Sequence, residues 1–450
     1  MPPRVVKALD IWMNGHRVGR WDRGGAGADR LTYDSAWIAA SSGRPLSLSL
    51  PVTFGHGPSA PVPIRGDVVT SYFDNLIPDN ERILQRMRER YGTRSTTAFD
   101  LLSAVGRDCA GAVQLVPAGE APNDVKVIEC QPLDEAGVAQ LLRDLPATDR
   151  WTREETEAFR LSIAGAQEKT ALLLHEGNWC IPQRSTPSTH IFKLPLGRVA
   201  NMQADMKDSV EIEWLCMQLA GALGLPVANT EIGCFEDQKA LIVERFDRKL
   251  SSDGTWWQRI PQEDFCQVFG LPPTLKYEAD GGPGIQGIMD RLQGSERPEQ
   301  DRATFFRAQI VFWLMGATDG HAKNFSIHLM PGGCYQLTPL YDILSTYPVQ
   351  GTGANHLDSR RAKLAMAVRS KHAHYLLHDI HRWHWISMAE KLGLQGAGKM
   401  IDELVHQVPE AMDSLSDRLP AGFPSYVFET INTGMTEAAK RIAREPDRRS

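Results

Sequence analysis

Several things are scarce in this 450-residue chain, and each scarcity removes a class of function. Long apolar runs are missing. The longest, Ile310 to Ala317, falls far short of the about 20 residues a bilayer-crossing helix needs, so no membrane partner is expected. The opening Met1-Pro-Pro-Arg4 soon reaches Asp10 and Asn14, which leaves no apolar core for a secretory signal. The seven cysteines are scattered, odd in number and without a Cys-x-x-Cys pair. Neither a disulfide framework nor a zinc site is therefore expected, and a reducing cytoplasm is the expected compartment. An excess of basic charge is lacking too: the net charge of −6 argues against a chain that binds polyanions as a whole. Two local basic clusters remain, Arg82, Arg86, Arg88, Arg90 and Arg94 on one predicted helix and its exit, and Arg360, Arg361, Lys363, Arg369 and Lys371. Each is either a solvated helix face or a surface for nucleic acid or an acidic partner. Internal repeats and low-complexity tracts are absent from the sequence.

What is present is a globular composition, 42% hydrophobic and 23% charged, long enough for two or three domains. Ile11-Trp-Met13, Asn14-Gly15 and Arg17-Val-Gly19 read as a hairpin with a primed turn. Leu46-Ser-Leu-Ser-Leu-Pro51 alternates and predicts a strand; helices are predicted at Asp79 to Tyr91 and Ala98 to Val105. Strands follow at Thr170 to Leu174, Trp179 to Ile181, Ile191 to Leu194, Glu231 to Cys234 and Leu241 to Val243. A helix, Val210 to Leu223, interrupts them and stops at Gly224. Beyond Gln262 the pattern turns helical, with Arg302 to Met315 apolar on nearly every face and so expected to be buried. Later helices are predicted at His374 to Lys391, Gly398 to Val408 and Phe428 to Arg444. The expected organisation is three parts: a β-rich subdomain with short helices (1–120), a small β-rich lobe (121–248) and a helical lobe (249–450).

The chemistry concentrates after the buried helix. Gly316-Ala-Thr-Asp-Gly-His-Ala-Lys-Asn-Phe325 carries Asp319 and, five positions on, Asn324; Asp342 follows a short hairpin around Gly332-Gly333. Kinase-type phosphoryl transfer needs such a set: one carboxylate to take the acceptor's proton, then an amide and a carboxylate to hold magnesium. Singly, each residue is also an ordinary turn or strand-end residue. Lys323 supplies a charge that could neutralise phosphate. His321 either positions the loop, touches substrate or is a structural histidine. Upstream, Ser162-Ile-Ala-Gly-Ala-Gln-Glu-Lys169 is rich in small residues and precedes a strand, as a phosphate loop or a plain turn does. With one glycine and no Gly-Lys-Ser/Thr ending, it is not a Walker A loop. Lys193 lies in the mostly apolar His190-Ile-Phe-Lys-Leu-Pro195. It either snorkels to the surface or holds the α- and β-phosphates, oriented by Glu213 or alternatively Glu211 on the helix that follows. Leu241-Ile-Val-Glu-Arg-Phe-Asp247 runs into the link between the β-rich and helical sections; in a kinase such a link offers its backbone to adenine, which would place Glu244 and Phe246 at the nucleotide's base.

These motifs, in this order, resemble the HipA family, serine/threonine kinase toxins of bacterial HipBA toxin–antitoxin modules. Arg44 to Pro51, Phe73-Asp-Asn-Leu-Ile-Pro-Asp79, Phe99 to Leu102 and Val105 to Asp108 are similar to its N-terminal region. Ser162 to Lys169, Thr189 to Pro195, Val243 to Arg248, Pro261 to Asp264, Lys276-Tyr-Glu278 with Gly281-Gly-Pro283, Gly316 to Phe325 and Tyr341 to Ile343 are similar to its kinase core. The resemblance implies an α+β, two-lobed protein-kinase-like fold with a β-rich N-terminal region and a large all-helical C-lobe. It implies ATP and magnesium as cofactors, with Asp319 as base and Asn324 and Asp342 as metal ligands. Lys193 would hold the phosphates, Glu244 and Phe246 would meet adenine through their backbone, and Gln262 and Tyr341 would line the pocket. Ile163, Gly165 and the two alanines Ala164 and Ala166 would form the phosphate loop beside Lys169, and Ser162 would be an inactivating autophosphorylation site. The implied partners are a HipB-type helix-turn-helix antitoxin dimer, operator DNA, and an aminoacyl-tRNA synthetase as substrate, glutamyl-tRNA synthetase for the family's founding member. The stretch Arg369-Ser-Lys-His-Ala-His374 with Trp383-His-Trp385 departs from the family's basic C-lobe residues, so DNA contact is expected mainly through the antitoxin. Two other readings stand beside this one: a small-molecule phosphotransferase of the aminoglycoside-kinase kind, and a catalytically silent corepressor.

Overall fold

Asn14 and Gly15 both take positive φ, 47° and 84°, which a primed two-residue turn requires. Ala8–Met13 and His16–Asp22 therefore pair as an antiparallel hairpin. In this computed structural model, which describes residues 7–24, 28–54, 61–146, 167–199, 204–353 and 355–448, that hairpin is the middle of a five-stranded sheet. Trp21 faces the core beneath it, stacked on Phe73 at 3.9 Å with Phe99 edge-on. The helices Asp67–Asp74 and Ala98–Val105 supply those rings.

Leu46 to Pro51 alternates like a strand but forms none. Leu46 and Leu50 are buried as alternation demands, yet no neighbouring strand receives the backbone. Side chains take its place. The Tyr33 hydroxyl accepts from Leu46 N and donates to Leu50 O, Glu263 Oε1 accepts from Leu48 N, and the Ser47 and Ser49 hydroxyls donate to Gln267 O. The segment thereby fastens the N-terminal sheet to the C-terminal part of the chain.

A six-stranded sheet follows in the order Thr230–Phe235, Gln238–Glu244, His190–Lys193, Lys169–His175, Asn178–Pro182, Cys130–Pro132. Alternation along Gln238–Glu244 sends Ile242 to one face and Leu241 and Val243 to the other. Ile242 and Phe192 pack with Val138 and Leu142 of the helix Glu135–Asp144. Leu241 and Val243 join the main core with the helix Ser209–Ala222, which is buried along most of its length.

The helix Pro298–Met315 is the axis of the C-terminal part. Proline at its first position and Glu299 and Asp301 in its first turn suit a helix start, and Gly316 ends it in the left-handed region at φ 61°. Phe305, Phe306, Ile310, Phe312 and Trp313 are all buried. This lobe is helical in bulk but not all-helical, correcting the expectation from resemblance. Gln262–Asp264, Ser326–Leu329 and Tyr335–Leu337 form a three-stranded sheet, and Lys363–Arg369 pairs with Ala373–Leu376. The helix predicted from His374 begins only at Arg382, because Ala373–Leu376 is a strand of that second hairpin and Leu377–Asp379 a short 3-10 turn. Among the described residues no helix is long and apolar enough to cross a membrane.

A buried charge cluster joins Asp108 to the stretch from Arg245 to Arg259. Arg245 and Arg248, just past the six-stranded sheet, pair with Asp247 and with Asp108 of the N-terminal part at 2.8–3.4 Å. Arg259 lies 3.5 Å from Asp108 and donates to the carbonyls of Ser185 and Arg107. Burial alone would neutralise Asp108, but Arg248, Arg245, Arg259 and the Ser188 hydroxyl outweigh it and hold its carboxyl well below the usual range. No sequence periodicity announces this cluster, because Asp108 comes from over a hundred residues before the other four members.

Candidate active site

Lys193 ends its strand in register with Lys169 on one side and Leu241 on the other, its side chain nearly buried. An ammonium there needs anions. Its Nζ lies 2.6 Å from Glu213 Oε1 and 2.7 Å from Asp342 Oδ1. Glu213 is thus the helix carboxylate that meets Lys193, whereas Glu211 pairs with Lys239. Burial works against the Lys193 charge, but Asp342 and Glu213 outweigh it and raise its pKa above the usual lysine range. One cation shared by two carboxylates leaves them unequal. Burial pushes Glu213 up to about 7 despite Lys193, while for Asp342 the nearby lysines outweigh burial and bring it down to about 2. Burial, then Lys193, lowers Lys169 to about 8.

Asp342 sits at φ 61°, a left-handed conformation costing a non-glycine residue about 1–2 kcal/mol. Such strain in a cleft residue is a recognised mark of a functional position. The Asn324 amide nitrogen donates to both the Asp342 carbonyl and its Oδ2, each at 3.2 Å. Asn324 Oδ1 is buried with no hydrogen-bond partner among the described residues. A buried amide oxygen without a donor costs about 1–3 kcal/mol unless something electropositive meets it. Together with Asp342 it offers two hard oxygen donors, which fits a magnesium ion that takes its other ligands from phosphate and water. Among the described residues no group of three or more His, Cys, Asp or Glu is placed to hold a metal by itself.

Asp319 follows the buried helix directly. Its side chain keeps 40% of its surface open to the cleft, and Tyr277 donates to its Oδ1 at 2.7 Å. Burial of the carboxyl, only partly offset by Tyr277 and Lys276, raises it to about 6. His321 is pushed down to about 3 by burial first and by Lys276 next, so its ring is neutral; its Nε2 lies 3.9 Å from Asp319 Oδ2.

Lys323 departs from expectation. Its ammonium is taken by Asp264 Oδ2 at 2.7 Å and by the Asn75 side chain and carbonyl at 2.8 and 3.2 Å. A lysine so engaged ties the N-terminal part to the C-lobe instead of countering phosphate charge.

At the other end of the cleft, Phe246 and Tyr341 approach with ring centroids 5.6 Å apart. The Tyr341 hydroxyl is bound to Ser326 and to the Lys323 carbonyl, leaving the ring to face the cavity. Gln262 lines the same space with its Oε1 buried and without a hydrogen-bond partner among the described residues, and Glu244 holds Asn229 with its side chain. The cavity has a volume of about 240 Å³ and gathers Lys169, Lys193, Glu244, Phe246, Gln262, Asp319, His321, Lys323, Asn324, Tyr341 and Asp342. Ser162, Ile163, Ala164, Gly165 and Ala166 lie outside the described residues. A larger, more open groove of about 650 Å³, lined by Trp313, Tyr347 and Arg441, contains none of the candidate residues.

Among the cleft residues that escaped sequence reasoning are Asn75, Asp79, Asp264 and Lys276. Lys276 Nζ meets Asp79 Oδ2 at 2.6 Å, so the N-terminal part forms one wall of the cleft. Phe73 to Asp79 and Lys276 to Glu278 stood out as motifs, but nothing in either segment says that it faces the other.

A small sheet bearing a lysine–glutamate pair, a helical lobe bearing Asp319, Asn324 and Asp342, and a cavity between them define a two-lobed, kinase-like protein. Comparison with known proteins gives the family. Residues 161–412 match the family model of the HipA-like C-terminal domain and residues 9–116 that of the HipA N-terminal domain. The chain is 33% identical over 414 residues to Y4mE of Sinorhizobium fredii, a protein named as a kinase, covering 91% of each chain. It is 29% identical over 326 residues to the serine/threonine-protein kinase toxin HipA of Shewanella oneidensis, covering 70% of this chain and 69% of that one. In structure it is similar to HipA in the Shewanella oneidensis HipA–HipB–operator DNA complex, with a TM-score of 0.76 and 24% identity over 97% of both chains. The chain belongs to the HipA family of serine/threonine kinase toxins.

Proposed function

We propose that this chain is an ATP- and magnesium-dependent serine/threonine protein kinase that acts as the toxin of a toxin–antitoxin pair. The observation that carries the reading is Lys193, held between Glu213 and Asp342 in the same cavity as Asp319 and Asn324. In this reading Lys193 holds the nucleotide's phosphates and Glu213 orients it. The link at Glu244 and Phe246 offers its backbone to adenine, with Gln262 and Tyr341 lining the base pocket. Asn324 and Asp342 would hold magnesium, which when bound supplies positive charge to the phosphates. Asp319 takes the proton of the acceptor hydroxyl. A carboxyl raised to about 6 is ionised at neutral pH yet basic enough to accept a proton. Neutral His321 keeps a competing charge away from that oxygen.

Residues 163–166 with Lys169 form the phosphate loop in this proposal, and the division into 1–120, 121–248 and 249–450 belongs to it. Phosphorylation of Ser162 would add about −1.5 to −2 charges beside a polyphosphate site and two acidic side chains, expelling the loop and ending activity. A HipB-type antitoxin and, through it, operator DNA are the proposed partners, by analogy with the similar Shewanella complex. An aminoacyl-tRNA synthetase, glutamyl-tRNA synthetase first among them, is the proposed substrate.

The test is incubation of the full chain with a bacterial lysate, ATP and magnesium, followed by phosphopeptide mass spectrometry. New phosphoserine on a translation protein, absent with Asp319→Asn, is the expected result. Phosphorylation of small molecules alone would favour the aminoglycoside-kinase reading, and growth arrest retained by Asp319→Ala a silent corepressor.

A further inference from the structure

The segment Lys276-Tyr277-Glu278 is separated in sequence from the Asp319 loop, yet it grips that loop at three successive points. The Lys276 carbonyl accepts from Ala322 N at 3.1 Å, the Tyr277 ring meets the His321 ring edge-on at 5.0 Å, and the Tyr277 hydroxyl donates to Asp319 Oδ1 at 2.7 Å. Its flanks are anchored in opposite directions. Lys276 is paired with Asp79 of the N-terminal part, and Glu278 accepts from Ala367 N and from the Arg369 guanidinium on the C-lobe hairpin. Gly284 completes the seat, since a Cβ there would lie 2.3 Å from the Glu278 carboxyl carbon. A tyrosine held this firmly carries its hydroxyl as a fixed donor.

Among the described residues Tyr277 is the side chain hydrogen-bonded to the Asp319 carboxylate; His321, at 3.9 Å, is too distant. Without that bond the carboxylate is free to rotate about its own axis. With it, Oδ1 is occupied and Oδ2 is the oxygen left for an acceptor. Resting on the kinase reading above, we propose that Tyr277 is the positioning residue of the base: its hydroxyl fixes one oxygen of Asp319 and so presents the other to the substrate hydroxyl. The anchors on Asp79 and on the Ala367–Arg369 strand make the aim of the base depend on both the N-terminal part and the C-lobe hairpin.

The test is Tyr277→Phe in the full chain, which keeps the ring against His321 and removes only the donor. Phosphate incorporation from radiolabelled ATP under single turnover should slow by about tenfold to a hundredfold, with the ATP KM unchanged. The acidic limb of the pH–rate profile should also move to higher pH. Tyr277 favours the ionised carboxylate, while Lys276 lowers its pKa and Asp342 and Asp79 raise it in both proteins alike. A merely structural tyrosine slows the reaction without moving that limb, and either an unmoved limb or an unchanged rate overturns the proposal. A second readout needs no turnover: the Asp319 Cγ titration by NMR in [¹³C]aspartate-labelled protein should shift upward in the variant, and an unshifted midpoint refutes the assignment. If the wild-type chain itself transfers no phosphate, the kinase reading fails, while the NMR midpoint still decides whether Tyr277 holds Asp319.

Discussion

Two charge clusters in this chain set cations against carboxylates to opposite ends. At the link, Arg245, Arg248 and Arg259 meet Asp108 and Asp247, and the arginines also donate to the carbonyls of Cys109, Gly111, Ser185, Ser188 and Arg107. All five side chains are almost fully enclosed. In the cleft, Asp319 and Asp342 keep 40% of their side-chain surface open, Asn324 Oδ1 has no partner among the described residues, and Glu213, Lys169 and Asp319 are displaced to about 7, 8 and 6. The first cluster fixes its charges; the second keeps groups whose protons are near balance at physiological pH. Charge saturation separates the two clusters here, and burial alone does not; groups left near balance are the ones proposed above for chemistry.

Variants can break that comparison in order of expected size. Asp319→Asn should lower phosphate transfer by about 10²–10⁴-fold, the usual worth of a general base, with no loss of stability by chemical denaturation. A large stability loss would move Asp319 to the scaffold side. Asp108→Asn should do the reverse. It leaves buried guanidinium groups uncompensated and should cost about 3–5 kcal/mol in urea melts, with transfer per folded molecule retained. Lys323→Met should resemble Asp108→Asn more weakly, at about 1.5–3 kcal/mol, because it strands Asp264 and Asn75. If it instead removes transfer while sparing stability, the ammonium serves phosphate after all.

The smallest effect concerns Glu213 and is read as a slope. A carboxyl raised from 4.5 to about 7 binds a proton in the folded state that the unfolded state has released. Stability from this group is therefore greatest at low pH and declines as pH rises from about 4.5 through about 7. Glu213→Gln should flatten that decline by a small amount in melts at a series of pH values, while transfer falls because Lys193 loses its orienting carboxylate. An unchanged slope would place Glu213 among the fully ionised scaffold charges.

Legibility followed the range of the interactions. The Asn14-Gly15 hairpin, the helix Ala98–Val105 and the buried helix ending at Gly316 were readable because turn chemistry and apolar period act over a few residues. Asp319, Asn324 and Asp342 were readable as a set because a short loop and one hairpin hold them close along the chain. Leu46 to Pro51 misled because its alternation buries Leu46 and Leu50 correctly, while side chains of Tyr33 and Glu263 replace the strand partner. His374 misled because its segment entered a hairpin whose other strand lies upstream.

The sequence by itself determined the kinase-like order of motifs, the burial of the central helix and the candidate set around Asp319. Only the tertiary structure decided that Glu213 and not Glu211 meets Lys193, that Lys323 is spent on Asn75 and Asp264, and that Tyr277 holds Asp319. The reason is that local period and turn chemistry specify a face or a bend. Which charge neutralises which depends on distances across the folded cleft, where a shift of one helical residue changes the partner.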